Sequence, residues 1–175
     1  MRLVKIVVLL LVSCLPLLSP AADWDRAEAL QRARKWAEAR AVYEVLLPQL
    51  EGPRLADAYN KMGYGFERDR KQLEQAIEMH RKAVAVPGAT PANLGYAWLR
   101  LGYCIKALGR HDEAIAAFEE VQKVAGVDPG TAAEALLYMA WTYSSIGNDE
   151  ASAATMRRVT RMDGVSNHIK ATAFG

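Results

Sequence analysis

Apolar residues between Trp98 and Val121 follow a helical period twice. Trp98, Leu101, Gly102 and Ile105 fall at i, i+3, i+4 and i+7, one face of a helix. Ala114, Phe118 and Val121 fall at i, i+4 and i+7, one face of a second. Gly109 stands between the two stripes, where it closes the first helix as a left-handed cap. Two short amphipathic helices joined by a tight turn make a helical hairpin. Gly102 and Ala114 are small where the helices must approach, and Trp98 and Phe118 fill the space beside them.

The pattern recurs on both sides. Upstream, Tyr59, Met62, Gly63 and Phe66 repeat the first helix, and Ala76, His80 and Ala83 the second. Downstream, Leu136, Met139, Ala140 and Tyr143 take the first helix, Gly147 the cap, and Ser152, Met156 and Val159 the second. Near the N-terminus, Ala39, Tyr43 and Leu46 mark a second helix, with Ala27 and Leu30 the weakest version of a first. The second-helix anchors Ala39, Ala76, Ala114 and Ser152 are separated by 37, 38 and 38 residues. Val86–Pro91 and Gly126–Gly130 are turn-rich junctions, and Thr90-Pro91 reads as a capped helix start. Ala29, Gly65, Cys104 and Thr142, two residues beyond each first-helix anchor, are all small, as a column where hairpins cross requires.

The W-x2-L-G of Trp98–Gly102 followed by the A-x3-F of Ala114–Phe118 resembles the tetratricopeptide repeat, with Ile105 in place of the aromatic and Val121 in place of a small residue. The usual unit is about 34 residues, and the excess here sits in the junctions. The resemblance implies an all-α fold, a right-handed α-solenoid of about four antiparallel hairpins. The units are expected at about 23–52, 53–90, 91–128 and 129–164 within a repeat domain over 22–164. Residues 165–175 form a short tail or capping helix, leaving the last hairpin's apolar edge partly open, covered by that tail, or covered by a second copy.

Charge and the N-terminus add a location. Met1–Lys5 is positive, Ile6–Val12 is an uninterrupted apolar run, and Ser19-Pro20-Ala21 offers small residues at the spacing a signal peptidase reads. This predicts a signal peptide over 1–21 and a protein exported to the periplasm. Leu11-Val12-Ser13-Cys14 resembles a bacterial lipobox, which would lipidate Cys14 and anchor the chain to the inner or outer membrane; an uncleaved anchor is a third reading. Of 22 basic and 20 acidic residues, the basic Arg2 and Lys5 lie in this leader, so the body is neutral and offers no basic surface for nucleic acid. Removal of Cys14 with the leader leaves Cys104 with no intramolecular disulfide partner, as a buried small residue.

Catalytic signatures are missing. The chain has no P-loop, no G-x-S-x-G and no H-E-x-x-H. His80, His111 and His168 lie in different units without the i, i+4 partner of a helical metal site, so neither metal nor cofactor is expected; His80, at the aromatic position of its helix, reads as core. Asp112-Glu113 and Asp149-Glu150 sit in first turns, where they complement the helix dipole.

The resemblance implies that first helices line a concave face. The positions one residue after the Trp98 and Gly102 columns then point inward: Asn60 and Tyr64, Leu99 and Tyr103, Leu137 and Trp141, with Tyr96 and Lys106 a turn to either side and Trp24 and Glu28 in the first unit. Family members that grip the acidic C-terminal tails of chaperones use Lys, Asn and Arg in this groove; this chain offers only Asn60, Lys61 and Arg100. The expected function is a non-catalytic protein–protein interaction module binding an apolar or aromatic peptide segment of an envelope protein along Asn60, Tyr64, Tyr96, Leu99, Tyr103, Leu137 and Trp141. Two alternatives stand beside it: aromatics that only pack one helix on the next, and a scaffold that self-associates through its C-terminal edge or is held at the membrane.

Overall fold

A computed structural model of the protein describes residues 19–68 and 72–173. Residues 1–18 of the expected 1–21 leader, Cys14 among them, lie outside the described residues, as do 69–71 and 174–175. Helices α1 (Pro20–Arg32) and α2 (Trp36–Leu46) form the first hairpin, α3 (Gly52–Glu67) and α4 (Leu73–Val84) the second. The third is α5 (Pro91–Ala107) and α6 (His111–Lys123), the fourth α7 (Pro129–Ser145) and α8 (Asp149–Arg161). A short α9 (Asn167–Thr172) follows, and no strand occurs among the described residues. No described helix is long and apolar enough to cross a membrane. Pro20–Ala22, where the sequence places cleavage, is the first turn of α1, capped by the Ser19 hydroxyl accepting from Ala22 N–H at 3.3 Å.

Local chemistry sets the helix ends. Thr90 and Asn93 close a reciprocal capping box with Pro91 in the first turn of α5. Asp128 and Asn148 cap α7 and α8 through Thr131 N–H and Ala151 N–H. Gly109 and Gly147 adopt φ of +76° and +77° after α5 and α7. There Arg110 N–H donates back to Ile105 C=O and Asn148 N–H to Tyr143 C=O, the paired-bond helix ending that requires a left-handed residue.

The hairpins stack in series. Each packs internally, α4 packs on α5 and α6 on α7, and the first helices α3, α5 and α7 touch in order. Within a hairpin the glycine anchor meets a ring: a Cβ at Gly102 would lie 2.5 Å from the Phe118 ring, and one at Gly63 2.6 Å from that of His80. Close approach is thus of backbone to ring rather than of backbone to backbone. Cys104 and Thr142 are fully buried and Gly65 is buried against the Arg40 side chain of the preceding hairpin, whereas Ala29 is exposed. That column meets the hairpin before it, and among the described residues α1 has none before it. At the other end α9 folds back on α7 and α8, with Val165 buried and Ile169 packed against the core, so the tail covers part of the last edge.

Candidate functional site

The first helices carry a chain of rings along one face. Trp36, at the start of α2, meets Tyr64 of α3 edge to face with centroids 5.5 Å apart. Arg100 of α5 lies over both Tyr64 (5.7 Å) and Tyr103 (4.8 Å) and links them. Tyr103 then meets Tyr138 at 5.7 Å, and Tyr138 meets Trp141 at 5.3 Å, both edge to face. Lys106 reaches to 6.0 Å over Trp141, and burial lowers its pKa. Tyr96, Tyr103 and Trp141 keep 37%, 36% and 39% of their surface, so the ladder is open to solvent along its length.

At its N-terminal end the ladder runs into a cleft of about 410 Å³ lined by Gln31, Asp57, Lys61, Tyr64, Asn93 and Tyr96 among others. The cations there are already matched. Lys61 Nζ lies 3.1 Å from Glu28 Oε1 and 4.0 Å from Asp57 Oδ2. Arg100 gives Nε to Glu67 Oε1 at 3.0 Å and Nη2 to Oε2. A clamp for a peptide carboxylate needs uncommitted cations, so the Lys61 and Arg100 that the family resemblance brought forward are committed within the fold.

The structure divides the expected groove residues. Tyr64, Tyr103, Trp141 and Tyr96 lie on the ladder or in the cleft. Leu99 and Leu137 are only 4% and 5% exposed, and Trp24 of the same column is buried against Tyr43; Asn60, 3% exposed, still reaches the floor of the cleft. This corrects the inward register. The residue after the Trp98 column packs beneath the next first helix, as Asn60 Nδ2 shows by donating to Asn93 C=O of α5 at 3.0 Å. Leu99 and Leu137 belong to the main core. The column two residues before each anchor, Lys61, Arg100 and Tyr138, faces the groove instead. Its switch from two cations to an aromatic is visible in the sequence, but only the stacking angle shows that it points inward.

Beneath the cleft lies a buried polar cluster. His80 Nε2 is 2.9 Å from Glu67 Oε1 and its Nδ1 3.2 Å from Asn60 Oδ1. Ligand atoms of Glu67, His80 and Cys104, on α3, α4 and α5, lie within 4.8 Å of one another, a convergence of three helices that no sequence spacing encodes. Burial lowers the His80 pKa against the pull of Glu67. Burial alone would raise Glu67, but its contacts with His80 and Arg100 and the Arg100 charge outweigh it and hold the carboxyl below its usual range. Burial, then Glu67, pushes the Cys104 thiol up. A thiol held protonated is no nucleophile, so the cluster does not read as a Cys–His catalytic pair.

Residues 96–124 and 134–161 match the family model described as the tetratricopeptide repeat. The fold is similar to that of YrrB, a TPR protein with an unusual peptide-binding site, at a TM-score of 0.66 and 20% identity over 89% of this chain and 74% of that one. It is also similar to TTC0263, a thermophilic TPR protein of Thermus thermophilus, at 0.64 and 18% over 89% and 80%. No curated protein matches the sequence.

Proposed function

We propose that this α-solenoid, whose fold is similar to that of tetratricopeptide-repeat proteins and whose residues 96–124 and 134–161 match the repeat's family model, is a non-catalytic interaction module that binds a peptide segment of another protein along its ring-lined face. The observation that carries this reading is the ladder Trp36–Tyr64–Arg100–Tyr103–Tyr138–Trp141, which crosses all four hairpins and stays open to solvent. Large aromatics held in place by one another offer contact area at small entropic cost, the property of binding anchors. The peptide-binding site of YrrB is consistent with that use of a similar fold. The positive, apolar N-terminal stretch supports an exported protein of a bacterial envelope, with an envelope protein as partner.

The test is a triple substitution, Tyr64→Ala, Tyr103→Ala and Trp141→Ala, used as bait in a pull-down from envelope extract. These rings are partly exposed, so the helical circular dichroism should persist while the partner captured by the wild-type chain is lost. Anchors of this kind contribute about 2 kcal/mol each, so the triple variant should bind at least about a hundredfold more weakly. Capture of the same partner with undiminished yield would remove the ladder as the binding site. Capture of the chain itself would favour the self-associating scaffold instead.

A further inference from the structure

The cluster beneath the cleft belongs neither to the ring ladder nor to the repeat pattern. Tyr43 and Phe118 are fully buried at the positions that correspond to His80 in the first and third hairpins, so the histidine is a local departure. The imidazole takes the place of such a ring against the glycine anchor: a Cβ at Gly63 would lie 2.6 Å from His80 Cε1 and Nε2, as one at Gly102 would lie 2.5 Å from the Phe118 ring.

Asn60 decides where the His80 hydrogen sits. Its Nδ2 donates to Asn93 C=O at 3.0 Å, which leaves Oδ1 facing His80 Nδ1 at 3.2 Å. An amide oxygen only accepts, so Nδ1 carries the hydrogen, and in the neutral ring Nε2 is a bare lone pair. That lone pair points at Glu67 Oε1 over 2.9 Å, and a carboxylate oxygen is also an acceptor. Two acceptors facing each other at this distance leave a gap that a proton or a metal cation fills. A third donor atom, Cys104 Sγ, stands within 4.8 Å of both.

We propose that this cluster is a metal site in which His80 Nε2, a Glu67 carboxylate oxygen and Cys104 Sγ bind a divalent transition-metal ion of the zinc type. Imidazole, thiolate and carboxylate are the zinc ligand types, and the thiolate disfavours magnesium and calcium. The Nδ1–H to Asn60 Oδ1 bond is the outer hydrogen bond that holds a metal-bound imidazole in the right tautomer. Arg100 remains on Glu67 Oε2 and against the Tyr103 ring, on the partly exposed side of the cluster. Binding forms a metal–sulfur bond and breaks the S–H bond, and the proton leaves to solvent. The ion then faces one carboxylate and one thiolate, and with the Arg100 charge the cluster carries a net positive charge of one, on its partly exposed side. Asn60 also lines the cleft, which places the site one side chain below an open route from solvent. Such an ion ties α3, α4 and α5 together under the binding face.

The test uses the reduced, metal-free full chain with Cys14→Ser, so that Cys104 is the one thiol present. Titration with Co2+ alone should give a thiolate-to-cobalt charge-transfer band that saturates at one equivalent and is bleached by Zn2+. Cys104→Ser should abolish the band. Cys104→Ala, a small residue suited to the same packed column, should keep the helical spectrum while weakening Zn2+ binding at least about tenfold in competition with a chelating dye. Absence of the band at saturating Co2+, or its survival in Cys104→Ser, overturns the site. Nitrogen-15 spectra showing both His80 ring nitrogens protonated in the presence of Zn2+ do so as well, because a proton then fills the gap.

Discussion

Arg34 is the residue at which the repeat departs most clearly from its own chemistry. It follows α1 where Gly109 follows α5 and Gly147 follows α7, and the backbone bonds are the same: Arg34 N–H to Gln31 C=O, and Lys35 N–H to Leu30 C=O. Its φ of 59° is the only positive value at a non-glycine among the described residues. The left-handed conformation costs a residue with a Cβ about 1 kcal/mol or more, part of which glycine returns through its freer unfolded chain. Arg34→Gly should therefore raise stability by about 0.5 to 1 kcal/mol, read as a higher urea midpoint at unchanged slope. An unchanged or lower midpoint would show that the Arg34 side chain supplies contacts that offset the strain. The caps at Gly109 and Gly147 were legible in sequence because a glycine at a stripe boundary has few other uses. Arg34 was not, since nothing about an arginine announces a left-handed turn.

At the scale of elements, the hairpins were legible because their pairing is local: Gly63 with His80 and Gly102 with Phe118 each join neighbouring helices at a fixed offset. The groove was legible only by half. Tyr64 and Asn60 differ by one turn on α3, yet the crossing of α5 over α3 buries the second and spares the first. That crossing depends on geometry between units, which periodicity within one unit does not contain. The tail is a third case. Its polar sequence left the last edge undecided, whereas Val165, Ile169 and Ala173 in fact pack on the core, and the Ser166 hydroxyl caps α9 by accepting from Ile169 N–H. Removing residues 164–175 should lower stability by about 2 to 4 kcal/mol, the loss of one buried and two partly buried apolar side chains. It should also expose the Met156 and Met162 surface. Urea denaturation gives the first quantity, and light scattering shows whether the uncovered edge drives self-association that the full chain lacks.

Across the whole molecule the apolar core is divided. One cluster gathers Trp24, Tyr43, Leu46, Met62 and Met79 around the first hairpin, and the other runs from Leu73 and Ile77 through Phe118 and Leu136 to Val165. The division falls in the second hairpin, where Asn60, Glu67 and His80 are buried. Repeat solenoids are held mainly by contacts between neighbours, so a polar seam is where coupling between the two ends is weakest. His80 makes that seam sensitive to acid. Facing it are Glu67 of α3, Arg100 and Cys104 of α5, and the Tyr96 ring at 6.3 Å. Its folded pKa lies below the ordinary 6.5, so as pH falls through that value the unfolded chain takes up a proton that the folded chain resists. Stability then falls with pH from about 6.5 downward. Glu67, lowered from 4.5, adds a second loss below that value, because its contribution is present only while the carboxyl is ionised in the fold. In the metal-free chain, the protection of amides in α1 to α3 against exchange, relative to the intrinsic rate at each pH, should fall more than that of α7 and α8 between about pH 7 and pH 5. His80→Phe, which restores the ring carried at this position by the first and third hairpins, should flatten the stability slope in that window and shrink the lower one to the part that Arg100 sustains. Equal slopes in the two chains would place the acid sensitivity elsewhere and make the seam a packing feature alone.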